Sequence, residues 1–423
     1  MPHPFVVILG KSVRLAARLR GGGSALPGLV VERISPDFIK STLAQLPKGI
    51  VVISGTNGKT TTTKMVVALL EAHGLKVFTN RTGSNFSRGV AAALLGEVTI
   101  TGKLDADIAV LELDEAHAVP FVKAIPPSYS LLLNVMRDQL DRFGEIDATA
   151  KMLEKIAQAT TDTVVLNRED ARVLNIQDTL VTQQVELFGL SSALLSHFPS
   201  DDDIRSHHIK KTQRPTANVT LENYAGNQAT YAIDGEQFTT PLRLNGAYNV
   251  FNSAAAIALA RAILGSQLNT AIVKATIASV TPAFGRGELL QVGGQPLELV
   301  LVKNPSGFRL GLKSFSPVGY ATMIAINDNY ADGRDMSWLW DVDFESLSAS
   351  GVSQVAGVRA YDMALRLQYD EVKIGHIDKD LPSALRKFIS GNSELPKRIY
   401  CTYTAMLSLR RELSKITKVE VVS

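Results

Sequence analysis

A single cysteine, Cys401, stands in 423 residues, so this chain alone can build neither a disulfide framework nor a cysteine-ligated zinc site. Its setting in the apolar, strand-like "RIYCTY" marks it as a buried structural residue rather than a nucleophile. An excess of one charge is also missing. The formal net charge is +3, with Lys and Arg spread rather than gathered in runs, and nucleic acid is not indicated as a partner. The N-terminal "MPHPFVVILGKSVRLAARLRGGG" lacks the roughly 20 apolar residues that span a bilayer, and its basic residues follow the apolar ones where a secretory signal puts them first. A soluble, cytoplasmic protein is expected, with a peripheral place at the inner face of the membrane left open. "GKSVRLAARLR" is expected to be an amphipathic helix packed on the next domain rather than lying on a membrane. No internal repeat or low-complexity tract is present.

What remains, 45% hydrophobic and 20% charged residues, is an ordinary globular composition with room for two or three cores. "IVVIS" (50–54) reads as a buried strand, and Thr60 to His73 reads as a helix that stops at Gly74. Strand-like runs recur at 106–113, 129–135 and 162–167, separated by helix-length stretches as a parallel sheet requires. Between 183 and 242 the chain turns polar and reads as an inserted loop followed by a β-hairpin. The helical pattern returns at 249–264. A second α/β unit carries strand candidates at 297–305, 321–328, "DEVKIG" and "RIYCTY". The expected division is an N-terminal segment 1–48, a central domain 49–290 containing the 183–242 insertion, and a C-terminal α/β domain 291–423.

The strand at 50–54 runs into Gly55-Thr56-Asn57-Gly58-Lys59-Thr60 and then into the helix. Such a turn aims backbone N–H groups and the positive end of a helix dipole at one point, which attracts phosphate. Gly55 and Gly58 allow close approach, Lys59 can reach terminal phosphates, and the Thr60 hydroxyl can ligate Mg²⁺. Ile53 occupies the place where the stricter G-x-x-x-x-G-K-[ST] pattern has glycine, so the loop is a shortened relative. "VLELDEAH" puts Glu112, Asp114 and Glu115 at a strand's carboxyl end. Glu112 is the metal candidate, because Mg²⁺ takes one or two carboxylates besides waters and phosphate oxygens.

"GTNGKTTT", "NVMRDQLDRFG", "LNREDA", "NGAYNVFNSAAA" and "FGRGE" resemble, in that order, the ATP-dependent Mur ligase and folylpolyglutamate synthetase superfamily. "KNPSGF" and "INDNYADGRDMSWLWDVDFE" resemble, more narrowly, the MurT family of Mur-ligase-like subunits of lipid II isoglutaminyl synthase. The resemblance covers the chain from about residue 20 onward. It implies an α/β fold with a P-loop, parallel-sheet central ATPase domain and a smaller Rossmann-like C-terminal domain. It implies ATP and Mg²⁺ as cofactors, with Gly55 to Thr61 on the phosphates, Asn134, Asn167 and Asp170 near the metal or nucleoside, Asn249 in the middle-domain "GxxN" element, and Arg286 with Lys59 among the cations that neutralise the transferred phosphoryl group. The implied reaction is amidation of the α-carboxyl of D-isoglutamate in the lipid II stem peptide through an acyl phosphate. A stand-alone amino-acid ligase of the same superfamily and a non-catalytic nucleotide-binding regulator are the alternatives.

Departures from the superfamily are also legible. Gln139 and Tyr248 stand where many Mur ligases have His, as in MurT, which puts a His metal ligand in doubt. The four-cysteine zinc ribbon of many MurT proteins is missing; no zinc site is expected, and the adjacent His207-His208 read as surface loop. Lys151 lies roughly where some Mur ligases carry a carbamylated lysine. With no reactive cysteine to release ammonia from glutamine, the resemblance implies a separate GatD-type class I glutamine amidotransferase. It further implies that an Asp of this chain completes the partner's Cys-His-Asp triad. Asp335 matches best, ahead of Asp328, Asp332 and Asp341, for which turn capping is the plain alternative.

Overall fold

Ile50–Ser54 forms strand β1, buried along its whole length, as an unbroken apolar run must be when a sheet is covered on both faces. The structure, a computed structural model, describes residues 4–19, 26–80, 86–136, 146–198, 214–243, 246–281 and 286–419. Parallel to β1 run β2 (Val77–Thr79), β3 (Ile108–Glu112), β4 (Tyr129–Leu132), β5 (Thr163–Asn167) and β6 (Gln184–Leu190), in the spatial order β2-β3-β1-β4-β5-β6. The chain builds one side of β1 first and then the other, and open α/β sheets bind ligands at the carboxyl ends beside such a reversal.

The sheet continues beyond β6 through β7 (Val219–Ala225), parallel to it, and then antiparallel β8 (Gln228–Ile233) and β9 (Glu236–Pro241). The region 183–242 contains the expected antiparallel hairpin, but its strands extend the central sheet. Its first strand belongs to the parallel set and its last three extend the same sheet. Glu186 hides β6 from sequence reading by breaking the apolar run, and in the fold that carboxylate pairs with Arg261 at 2.6 Å. His207 and His208 lie outside the described residues.

Alternation along the strands loads both faces. Val51, Ile53, Val110 and Leu131 face one core with the helix Ala247–Leu264, whereas Val52, Leu111, Leu132 and Leu166 face another with the helix Ser87–Glu97. Among the described residues, Ala247–Gln267 is the one stretch long and apolar enough to cross a membrane; in the fold it is the buried core helix of the first face. The N-terminal helices Pro4–Leu19, Leu26–Ile34 and Phe38–Leu43 pack on the second face. Gly28 permits their approach, because a Cβ there would sit 2.0 Å from the Arg88 carbonyl oxygen.

The second sheet takes up the chain at Arg286, inside the segment 49–290 that the sequence suggests for the central domain. It contains β10 (Arg286–Val292), β11 (Gln295–Leu301), β12 (Ala321–Ala325), β13 (Val352–Ala356), β14 (Ile374–Asp378) and β15 (Lys397–Cys401), ordered β10-β11-β15-β12-β13-β14. Only β10 is antiparallel, turned back by Gly293-Gly294, both with positive φ, the geometry of a two-residue hairpin. β13 escapes sequence reading because the polar Gln354 sits at its buried centre. β14 starts four residues later than "DEVKIG" suggests, because Glu371 takes φ +56° and forms the turn.

If the N-terminal helices are an integral part of this core, Leu94→Ala, fully buried beneath them, should cost about 2–5 kcal/mol of unfolding free energy. A urea midpoint unchanged from the native chain would contradict that packing.

Candidate active site

Two glycines shape the loop after β1. Gly55 and Gly58 hold φ of +132° and +92°, and both are also crowded: a Cβ on Gly55 would lie 3.0 Å from the Asn134 nitrogen, and one on Gly58 would lie 2.8 Å from the Asn252 amide. Gly58 then opens the helix Lys59–Ala72, and no side chain caps it. An uncapped helix start facing the carboxyl edge of a parallel sheet is an anion site in waiting.

Strand ends on either side brace the loop. Asn134, just past β4, accepts from the Asn57 N–H at 2.9 Å and donates to the Asn57 carbonyl at 3.0 Å. The Asn134 carbonyl accepts from the Thr56 N–H at 3.0 Å, and the Met136 N–H donates to the Thr56 hydroxyl at 3.0 Å. Thr61 follows inside the helix and is buried.

The Thr60 hydroxyl donates to Glu112 Oε1 at 2.8 Å, so hydroxyl and carboxylate occupy one point at the mouth of the loop. Asn80 holds Glu112 by its backbone, donating to the Glu112 carbonyl at 2.8 Å and accepting from its N–H at 3.0 Å. The sequence offered no reason to single out Asn80. Lys59 is buried, donating to the Gly55 carbonyl at 2.5 Å with Glu115 Oε1 3.6 Å away. Glu115 is thus a counter-charge to Lys59, while Asp114 lies 3.4 Å from His117. Among the described residues no cluster of three or more His, Cys, Asp or Glu forms a metal cage. The Thr60–Glu112 pair suits Mg²⁺, which takes few protein ligands and draws the rest from water and phosphate.

The remaining sequence candidates divide. Asn167 donates to the Leu133 carbonyl at 2.7 Å and accepts from the Glu169 N–H at 2.9 Å. Asp170 caps the helix Ala171–Leu174, and its carboxylate takes N–H groups of Val135, Arg172 and Val173 at 2.6, 3.0 and 3.2 Å. These bonds make it a brace between the ends of β4 and β5. Lys151 is exposed on its helix, and Gln139 lies outside the described residues. Arg286 opens β10, and its side chain is outside the described part.

Between the two sheets lies a cleft of about 120 Å³, lined by Asn57, Gly58 and Asn134 from one side and by Lys303, Gly307 and Phe315 from the other. Asn249 and Asn252 also line it, three residues apart on one helix face; only the first was singled out from sequence. Asn304 crosses the gap. Its amide donates to Asn57 Oδ1 at 3.2 Å, and its Oδ1 caps the helix Pro305–Ser314 through the Gly307 N–H at 2.7 Å. A crevice of about 40 Å³ adjoins, with Phe198 and Tyr248 edge to face and Asn167 and Asp170 at its polar end.

Two family descriptions match this architecture: the Mur ligase middle domain over residues 53–260 and the MurT ligase C-terminal domain over residues 301–406. The lipid II isoglutaminyl synthase (glutamine-hydrolyzing) subunit MurT of Streptococcus pneumoniae is 32% identical, over 96% of this chain and 96% of its own. The chain belongs to the MurT family. The subunit of the same name from Staphylococcus aureus is 30% identical over 90% of this chain and 91% of its own. In fold, the chain resembles MurF of Thermotoga maritima in complex with ADP, with a TM-score of 0.67 at 17% identity, covering 90% of this chain and 84% of that one. It also resembles the folylpolyglutamate synthase of Mycobacterium tuberculosis, with a TM-score of 0.61 at 16% identity and coverage of 89% and 93%.

In the MurT-type C-terminal unit the four aspartates of 328–341 have different surroundings. Asp328 is paired with Arg359 at 2.7 Å. Asp332 is buried, accepting from the Thr404 N–H at 2.7 Å and hydroxyl at 2.5 Å and from the Asn329 N–H at 3.1 Å; burial raises its pKa. The Ser337 hydroxyl and its N–H, the latter at 2.9 Å, hold the Asp335 carboxyl below the usual range, and it stays half-exposed. The Asp341 carbonyl accepts from Arg309. Trp338 is buried in the core, and Trp340 stands half exposed beside Tyr369 with ring centroids 5.0 Å apart. Burial pushes the Cys401 thiol up, away from nucleophilic use.

Burial pushes the Asp170 carboxyl up to about 6, against three backbone N–H bonds that favour its charge. A carboxyl whose folded pKa is raised stabilises the fold below its unfolded value of 3.8 and loses that contribution as pH rises through the folded value. Between about pH 4 and 7 the native chain should lose about 3 kcal/mol relative to Asp170→Asn, at ~1.4 kcal/mol per pKa unit. Parallel urea titrations of the two proteins at both pH values check it; equal pH dependence would show that folding leaves the Asp170 pKa unshifted.

Proposed function

We propose that this chain is the ATP-dependent amidating subunit of a lipid II isoglutaminyl synthase, acting on the α-carboxyl of D-isoglutamate in the stem peptide. The observation that carries this reading is the meeting of Gly55 to Thr61 with Glu112 at the carboxyl edge of a MurT-family sheet. The γ-phosphoryl of ATP passes to the carboxylate, ADP leaves, and an acyl phosphate forms. Ammonia attacks the carbonyl carbon, the bond to the phosphate oxygen breaks, and the nitrogen sheds a proton to leave amide and inorganic phosphate. Phosphoryl transfer to an anion demands charge neutralisation and alignment. Lys59 and the helix start supply the first. Asn57, Asn134 and Asn304 hold the loop against the opposite wall for the second.

Mg²⁺, held by Thr60 and Glu112, would add neutralising charge to the phosphate oxygens. Asn80 fixes the backbone of Glu112 and so the direction of its carboxylate. Phe198 and Tyr248, packed edge to face, would offer an aromatic wall to a purine base, with Asn167 and Asn249 near the nucleoside. The sequence resemblance adds Arg286 to the cations proposed for the transferred group. In the C-terminal unit, Asp335 orients the catalytic His of a glutaminase partner of the GatD type. Asp335 fits that role best, because Asp328 and Asp332 are committed to Arg359 and Thr404.

The division of labour can be tested directly. Purified alone, the chain should amidate lipid II with ATP, Mg²⁺ and concentrated ammonium but not with glutamine; glutamine use by the lone chain would overturn it. In the assembled complex, Asp335→Asn should cut the glutamine-dependent rate by on the order of 10⁴, by analogy with a serine-protease triad acid, and spare the ammonium-dependent rate. Loss of both rates would move Asp335 into the ligase site.

The metal assignment predicts that Asn80→Ala raises the Mg²⁺ concentration needed for half-maximal rate by about tenfold or more, the usual cost of removing a ligand's supporting partner. Glu112→Gln should raise it further. Superimposable Mg²⁺ titrations for the two variants and the native chain would refute the assignment.

A further inference from the structure

The helix Pro4–Leu19 is apolar on two sides. Val6, Val7 and Gly10 turn inward, Gly10 so closely that a Cβ there would meet Leu95 and Val31 at 2.7 Å. On the outward side Phe5, Ile8 and Leu15 are 63%, 50% and 62% exposed. Spacings of three and seven residues align them as one stripe. Lys11 lies beside that stripe, and the next helix adds Leu26 and Ile34, each about half exposed. A helix that has already buried one face in the core normally covers the other with polar residues.

Charge indicates what covers this face. Residues 1–48 hold seven Lys and Arg against two acidic residues, a balance of +5, while the whole chain is only +3. The chain's positive surplus therefore belongs to the segment that carries the exposed stripe, where Lys11 and the exposed Arg33 flank its apolar residues, and one of the two acids, Glu32, lies 3.8 Å from Arg88. A second copy would bring the same positive surplus against itself and be repelled. An anionic surface with an apolar interior satisfies both features, in the manner of interfacial helices.

We propose that the helix Pro4–Leu19 lies on an anionic bilayer, with Phe5, Ile8 and Leu15 at the acyl boundary and Lys11 among the headgroups. The inference stands on exposure and charge. It deepens the proposed reaction, since a lipid-linked substrate would be met at the surface that holds it. Vesicle binding itself needs neither ATP nor substrate, so its failure would leave the proposed reaction untouched.

The test is co-flotation of the full chain with vesicles of phosphatidylglycerol and phosphatidylcholine in equal parts, against vesicles of phosphatidylcholine alone. The chain should float with the anionic vesicles and detach as salt rises. Replacing the stripe together by Phe5→Ser, Ile8→Ser and Leu15→Ser should lower binding by on the order of tenfold or more, with an unchanged urea midpoint because the side chains are exposed. Lys11→Gln should lower it about fivefold. Equal binding to neutral vesicles, or native binding by the triple variant, would overturn the proposal. So would a dimer seen by sedimentation that the triple variant loses while vesicle binding is absent.

Discussion

The side-chain amide of Asn134 holds the phosphate loop in place, and the rest of the site depends on that brace. Past the end of β4 the backbone can no longer pair as a strand, yet Asn57 opposite still offers an N–H and a carbonyl. Asn134 takes both, at 2.9 and 3.0 Å, so a side chain continues the ladder after the sheet has ended. Asn80 does the same for the N–H and carbonyl of Glu112, and Asn167 for the Leu133 carbonyl and the Glu169 N–H. An amide presents a donor and an acceptor on one rigid plane, which is what an interrupted ladder leaves unsatisfied. The carboxyl edge is therefore stiff before any phosphate arrives, and little reorganisation is left for the reaction.

Charge in the same edge is arranged around a cation that is already buried. Lys59 is surrounded by the Gly55 and Thr56 carbonyls, with Glu115 at 3.6 Å. An ammonium out of water needs such company, since an uncompensated buried charge costs several kcal/mol. Truncating Lys59 would therefore disturb stability as well as phosphate contact, because Glu115 would be left buried alone. In the proposed reaction Lys59 would exchange these partners for phosphate oxygens.

Across the cleft, the second sheet contributes through Asn304, which caps its own helix and touches Asn57 in the loop at once. The same unit holds a second set of polar contacts at the ends of its own strands. Asp332 joins the carboxyl ends of β12 and β15 through Thr404, and Asp328 reaches Arg359. Asp335, the best match already in sequence, is left as a half-exposed carboxylate held by a single turn.

The sequence by itself determined the α/β class, because short apolar runs separated by helical spacing admit few other arrangements. It also determined the loop Gly55 to Thr60 and its pairing with Glu112, since these residues are close in type and pattern to what phosphate and Mg²⁺ require. It could not reveal β6, whose Glu186 is neutralised by Arg261 from a distant helix, or β13, whose central Gln354 is buried only in the fold. Nor could it single out Asn80, Asn252 and Asn304, which lie far from the loop in sequence and act by filling gaps that exist only once strands and helices are placed. Asp170, legible as a candidate site residue, also takes three backbone N–H groups, bonds that only the fold reveals. Tertiary structure decided these cases because a hydrogen bond's partner is fixed by position in space, which residue type and spacing along the chain do not specify.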